Sequence, residues 1–375
     1  MSNLKNSSLI IVVIAILAIS AGLFTQHSHH APKELPEFEK AVILPTSKAI
    51  QSDDFTDHTG KAFSVDSFKG YWNIVFFGFT NCPDICPTTM QTMATVKKEL
   101  QDQNKWGNYR VIMVSVDPER DSIERLNNYV PYFDEEFIGL RGDIDTTTNF
   151  AKELGILFFK QEPVNDFYEV DHSASIILIN PLAEMAGVIT APHEAKQISR
   201  DLTLLANHFN DNHSNSSHSH HVAQAANTTS NAENNKEMAV HDGHAMPNKA
   251  SGKTIEGLVI EEAWIRPAPP TVSNMAAYLI LKNESDLDII ITGAQSPNFA
   301  MAMIHDTVIE NEIAKMQHRS ELVIPAGGEV TLAPLGTHVM LMETKQTLSI
   351  GESAEITFFS KSGATLTAKI EVKQP

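Results

Sequence analysis

Residues 72–88 read WNIVFFGFTNCPDICPT, and this stretch decides the fold of the first half of the chain. Trp72 to Phe79 is an almost unbroken apolar run, the pattern of a strand covered on both faces. A Pro-flanked turn with Cys82 and Cys86 comes next. Residues 87–101 then carry Met90, Met93, Ala94 and Val96 among the apolar positions of a helix. Pro87 is expected at the first helical position, where its missing N–H costs nothing. Working outward, residues 110–116 (RVIMVSV) and 175–179 (SIILI) predict two more buried strands, and residues 121–129 and 146–154 predict two more helices. Strand and helix in alternation imply βαβ units around a central, largely parallel sheet over residues 41–206. A strand-to-helix turn at the carboxyl end of such a sheet is where α/β folds place their chemistry, which singles out Cys82 and Cys86.

The whole chain has 375 residues, enough for two folded units plus extras at about 150 residues per domain. Its 42% hydrophobic and 20% charged residues suit a chain that buries real cores. The net charge of −18 repels phosphate backbones and argues against nucleic acid as a partner. Two cysteines cannot staple a chain this long. Beside them stand 16 His and 13 Met, and imidazole, thioether and thiolate together are the donors of late transition metals, copper(I) included.

Texture divides the chain further. Residues 1–25 hold an apolar run at 9–24 with Lys5 ahead of it, about 24 Å long as a helix. It is longer than the usual core of a cleaved signal peptide, so a transmembrane anchor is the favoured reading and a signal segment the alternative. In both cases the rest of the chain is exported. Residues 26–40 form a neck with His27, His29 and His30, and residues 207–253 are rich in Asn, Ser, Ala and His, a composition that cannot bury enough surface to fold. A flexible linker of that length spans about 35–40 Å, enough for the modules on either side to touch. From residue 254 to 375 short alternating strands and turns such as Pro325-Ala-Gly-Gly328 predict an all-β antiparallel sandwich or barrel.

The cysteine turn has a chemistry of its own. A helix amino end beside it favours thiolate, the form needed for disulfide exchange and for metal ligation alike. With three residues between them, the two sulfurs can bond to each other or grip one ion.

Around the turn lie Phe77-Gly-Phe-Thr80, Pro87-Thr-Thr89, Ser115-Val-Asp-Pro-Glu-Arg-Asp121 and Val170-Asp-His-Ser-Ala174. Together these segments resemble the Sco/SenC family of membrane-anchored, thioredoxin-like copper proteins. The resemblance implies that Cys82, Cys86 and His172 bind a single copper ion, as Cu(I) or Cu(II). In the β region His305, Met316, His338 and Met340 stand at the spacing of the PCu(A)C family of periplasmic copper chaperones, with Ala263-Trp-Ile-Arg-Pro267, Asn274-Met-Ala-Ala-Tyr278 and His338-Val-Met-Leu-Met342 in agreement. That resemblance implies a cupredoxin-like sandwich in which these four side chains hold one Cu(I). Thioether sulfur is neutral and soft, a poor zinc ligand and a good one for copper(I). His338 and Met340, two apart in a strand, share a face. Met342 extends the stripe, Met301 and Met303 flank His305, and all three are weighed evenly between core packing and metal binding.

Taken together, the sequence predicts a copper metallochaperone rather than a metabolic enzyme. It would sit in a bacterial inner membrane through its amino-terminal helix, with its soluble modules in the periplasm. The resemblance implies assembly of the dinuclear copper A centre in cytochrome c oxidase subunit II, with a thioredoxin-like reductant and other copper chaperones as further partners. Two alternatives stay open. In one, Cys82 and Cys86 are the catalytic dithiol of a thiol-disulfide oxidoreductase. In the other, the chain is a copper buffer whose asset is the cluster at His218, His220, His221, His241 and His244, with Met238 and Met246 beside it.

Overall fold

In chain order the first module runs β1 (Ala41–Ala49), β2 (Phe55–Asp57), β3 (Ala62–Phe63), β4 (Trp72–Gly78), α1 (Ile85–Asp102), β5 (Tyr109–Ser115), α2 (Ile123–Phe133), β6 (Ile138–Arg141), α3 (Ile144–Glu153), β7 (Phe158–Lys160), β8 (Val170–Ser173), β9 (Ile176–Ile179), β10 (Glu184–Ile189) and α4 (Ala195–His213). This computed structural model describes residues 35–51, 54–163, 167–213 and 253–374. The apolar run that starts at Trp72 is β4, buried at every residue as expected. Ser122 and Asp143 start α2 and α3 by accepting the backbone N–H three residues on, from Arg125 and Thr146.

Eight strands form the sheet of this module in the order β1-β10-β9-β4-β5-β6-β2-β3. The largely parallel sheet expected from sequence needs correcting, because only the β4–β5 and β5–β6 pairings are parallel. Those two are the pairs whose crossovers, α1 and α2, are helices. Where the connection is a tight turn, as at 180–183 between β9 and β10, the chain folds straight back and pairs antiparallel.

The second module contains β11 (Leu258–Ile265), β12 (Met275–Asn283), β13 (Ile289–Gln295), β14 (Phe299–Glu310), β15 (Ile313–His318), β16 (Leu322–Ile324), β17 (Glu329–Leu332), β18 (Thr337–Thr344), β19 (Ser353–Ser360) and β20 (Thr365–Glu371), with no helix among its described residues. All-β texture was the expectation. In place of a two-sheet sandwich, one hydrogen-bonded path runs β11-β12-β18-β14-β13-β19-β20. Bridges from Ile265 to Val372 and from Thr254 to Thr365 bring its two ends together. The wall encloses an apolar core that includes Leu279, Ile291, Ile304, Val339, Leu341, Ile356 and Phe358.

One hairpin of this module reaches the other. Asn311 and Glu312 join β14 to β15 with φ of 52° and 61°, the pair of left-handed residues that a two-residue type I′ turn requires. Strand β15 then pairs on its free edge with β8 of the first module, Ile313 opposite Ser173 and Ala314 opposite His172. Strands β7 and β8 thus belong to the sheet of the second module rather than to their own. His172, expected just ahead of a strand, lies within one.

Both modules, as described over 39–201 and 253–374, fall in one compact unit. The anchor at residues 9–24 and the His/Met cluster at 218–246 lie outside the described residues. Among the described residues no helix is long and apolar enough to cross a membrane.

Candidate metal centre

Strand β4 delivers the chain to the cysteine turn, and α1 takes it away. The helix begins at Ile85, with Asp84 as its cap residue, two positions earlier than expected. Cys86 therefore lies inside the first turn and Pro87 is third in the helix, not first. Pro is tolerated there because the opening N–H groups of a helix have no partner four residues back. The preceding strand makes room for the sulfur: a Cβ at Gly78 would lie 2.9 Å from Cys86 Sγ. Gly78→Ala is expected to cost about 1–3 kcal/mol through overpacking, read from the denaturant midpoint. An unchanged midpoint would mean that the Cys86 side chain swings away freely.

The turn is held from beneath by Asp121. Its buried carboxylate accepts from Thr80 Oγ1 at 2.5 Å, from Ser115 Oγ at 2.6 Å and from the Thr80 N–H. Arg125 donates to Thr80 Oγ1 at 2.7 Å and also to the Asn81 side chain. The segment from Ser115 to Asp121, visible in the sequence as a motif, is thus scaffolding for the cysteines.

His172 faces the pair from β8. Its Nδ1 lies 3.0 Å from the Ser173 carbonyl, which assigns the proton to Nδ1 and leaves the Nε2 lone pair free, 3.5 Å from Cys86 Sγ. Both cysteines are free thiols, and Cys82, Cys86 and His172 are 2%, 1% and 4% exposed, so water hardly competes for them. Burial alone would raise the Cys82 thiol, but the hydrogen bond with Cys86, with His172 close by, outweighs it and brings it well below its ordinary value. Cys86 is pushed well up, by burial first and then by its neighbour. The pair is thus one thiolate with one thiol, ready to nucleophilically attack a disulfide or, after losing one more proton, to chelate a soft cation.

The second donor set lies on one face of the β module. Antiparallel register places His305 opposite both His338 and His318, Met303 opposite Met340, and Thr307 opposite Met316. Residues directly opposite share a face, and diagonal neighbours come within about 7–8 Å, so His338, Met316 and Met340 all surround His305 on the same side. The His305 and His338 rings are 6.3 Å apart. His338 Nδ1 lies 3.0 Å from the Gly336 carbonyl, while its buried Nε2 has no partner; neither has the buried Nδ1 of His305. Burial, then the neighbouring His338 and His318, lower His305 to about 3, so it is neutral at any ordinary pH. Buried imidazole nitrogens with free lone pairs next to thioethers fit a soft metal ion. Met342 is fully buried opposite Met301, on the same face of β18 as His338 and Met340.

The two sets face each other. Asp84, between the cysteines, is fully buried, and its carboxylate makes no cap bond to its own helix. It accepts instead from Tyr278 Oη at 2.9 Å, from Thr307 Oγ1 at 2.6 Å and from the Leu335 N–H at 2.9 Å, all in the β module. Arg266 stands 3.7 Å from that carboxylate and donates to the Asp84 carbonyl at 3.0 Å and to Thr88 Oγ1 at 2.9 Å. Asn274 reaches the Asn81 carbonyl at 3.2 Å. Met316 turns away from the core of its own module and packs with Cys82 and Cys86 in the apolar core of the first.

Sequence reasoning missed Asp84, Glu169, Arg266, Asn274, Tyr278 and Thr307. Arg266, Asn274 and Tyr278 lay inside segments that carry the family resemblance, which gave the signal without the role. Glu169, against Cys82 and His172, has no partner for either carboxyl oxygen, and burial raises its carboxyl well above the ordinary range. Among the described residues no three His, Cys, Asp or Glu side chains are drawn closely enough to enclose an ion.

Residues 45–207 match the family model described as SCO1/SenC, and residues 258–372 the one described as "Putative lipoprotein LpqE-like". A "Putative copper-binding protein" of Stutzerimonas stutzeri is 34% identical over 161 residues, covering 43% of this chain and 78% of that protein. The "Protein SCO2 homolog, mitochondrial" of Homo sapiens is 31% identical over 173 residues, 45% of this chain and 65% of that one. The solved "Copper-bound PCuAC domain from PmoF2" matches 32% of this chain and 94% of its own at 23% identity, with a TM-score of 0.28.

Proposed function

Because this chain belongs to the SCO1/SenC family, we propose that it is a copper metallochaperone with a donor set in each module, Cys82, Cys86 and His172 in the first and His305, Met316, His338 and Met340 in the second. The observation that carries this reading is the pairing of sulfur with freed imidazole nitrogen on two facing surfaces, each histidine oriented or left free by its backbone surroundings. Thioether and imidazole survive oxidising surroundings, since they have no thiol to lose. That makes the β face the natural holder of incoming Cu(I), and the Cys/His set the place from which it moves on. The cargo would be destined for the copper A centre of cytochrome c oxidase subunit II, with a thioredoxin-like reductant keeping the cysteines reduced and other chaperones supplying the metal. Such work belongs in the periplasm at the inner membrane, to which residues 9–24 would tether the chain.

Anaerobic titration of the reduced protein with copper(I), counting metal per chain, tests the proposal. Two tightly held ions are expected per chain, falling to one when Cys82 and Cys86 are both replaced by Ser. Stoichiometry that does not change with the cysteines would remove them from the metal chemistry.

The same thiolate–thiol pair supports a second reading, disulfide reduction. Cys82 would attack a target disulfide to form a mixed disulfide and release one target sulfur. The Cys86 thiol would give up its proton to that sulfur and displace the other. The target would leave with one thiol and one thiolate, the latter taking a proton from water, and this chain with a Cys82–Cys86 disulfide.

A further inference from the structure

Cys82, His172 and Met316 line one small cavity, together with Phe79, Thr307 and Glu169. Its volume is about 10 Å³, room for a single water-sized occupant and for nothing larger. One wall belongs to each module, and three independent contacts hold the walls in register. Backbone pairing sets Ala314 opposite His172, which places Met316 on the same face of β15 as Ala314 and two residues further along. Glu312 accepts the Ala174 N–H at 2.7 Å through its carbonyl, and the Ser175 hydroxyl at 3.0 Å through its carboxylate. The Asp84 carboxylate gathers Tyr278, Thr307 and Leu335 from the opposite side.

We propose that Met316 is a ligand to the ion held by Cys82, Cys86 and His172, so that the docked modules build one copper site from both. This shared ligand rests on the copper reading of the Cys/His set and deepens it. Two thiolates and one imidazole leave a cuprous ion with room for another soft donor, and the thioether is the soft group on the facing wall. Glu169 and Thr307, which also line the cavity, offer hard oxygen, which copper(I) takes poorly. Met316 is also a diagonal neighbour of His305, so one thioether serves both donor sets. An ion on the β face can then exchange His305, His338 and Met340 for Cys82, Cys86 and His172 one ligand at a time, with Met316 bound throughout. On binding, the Cys86 thiol gives up its proton to solvent, and no electron changes hands.

The test uses the full chain grown on selenomethionine, with His305 and His338 both replaced by Ala to disable the β set. It is loaded with one equivalent of copper(I) and examined by X-ray absorption at the copper edge. The expected shell has two sulfurs, light scatterers from one imidazole, and one selenium. Met316→Leu, close in volume and apolar, should remove the selenium and weaken copper about 10- to 100-fold against a competing chelator. A sulfur and nitrogen shell without selenium, or selenium that persists in Met316→Leu, would overturn the shared ligand while leaving the Cys/His copper site standing. A chain that takes up no copper at its cysteines would overturn both readings.

Discussion

Replacing Asp84 by Ala should open the contact between the modules and raise the alkylation rate of Cys82 by a maleimide roughly a hundredfold. Asp84 is fully buried, and the hydrogen bonds its carboxylate accepts come from Tyr278, Thr307 and Leu335 of the other module. A hydrogen bond to a charged group contributes about 1.5–3 kcal/mol, and truncating the carboxylate also removes the opposite charge 3.7 Å from the Arg266 guanidinium. About 3 kcal/mol lost from the docked state enlarges the undocked population about a hundredfold. The first module forfeits nothing of its own, since the carboxylate caps no N–H of α1. Cys82 is 2% exposed when docked and carries the thiolate of the pair, so its reactivity reports undocking directly. Asp84→Asn keeps an acceptor but drops the charge, and should lie between. A wild-type alkylation rate in a folded Asp84→Ala protein would show that other contacts hold the modules closed.

How much the residues revealed in advance depends on how far apart the interacting groups lie in sequence. Strand β4 and helix α1 were legible because their signals are local: an apolar run, then helical spacing. The antiparallel return of β9 and β10 was hidden, since strand direction depends on connections and not on the strand's own composition. Pro87 suggested a helix start, but the turn tightened two residues earlier. His172 was found through its motif, yet its strand pairs with β15, some 140 residues away, and no periodicity carries such a pairing. On the β face, spacing alone put His338 and Met340 on one side; His305 and Met316 were singled out through the resemblance, and they reach that side by cross-strand register. Asp84 was not. Between two cysteines and beside Pro83 it reads as an ordinary turn residue, and only the partners brought in by the other module give it a purpose.

Charged with copper on the β face and given a pre-reduced target with a dinuclear dithiol site, Cys82→Ser should metallate that target at least about a hundredfold more slowly than the natural chain. Removing one of two thiolates leaves Cys86 and His172 beside the shared Met316, a set whose copper affinity falls by orders of magnitude, so the ion stays on the β face. The target's own thiols are already free in this assay, which leaves nothing for an oxidoreductase to do. The rate of metal appearance in the target, followed by its visible absorption, therefore isolates ligand exchange from reduction. Normal metallation by Cys82→Ser would favour the disulfide-reducing role, because the only step lost with that thiol would be one the assay had made unnecessary. With an oxidised target the two roles converge, as both need Cys82: the reductant as its nucleophile, the carrier as its ligand. The redox state of the target is thus the variable that separates them. The buried thiolate–thiol pair suits either task, since the hydrogen bonds that lower Cys82 favour attack on sulfur as much as capture of a soft cation. What tilts the balance toward the carrier is the opposite wall, where His305, Met316, His338 and Met340 share one face and disulfide exchange would need none of them.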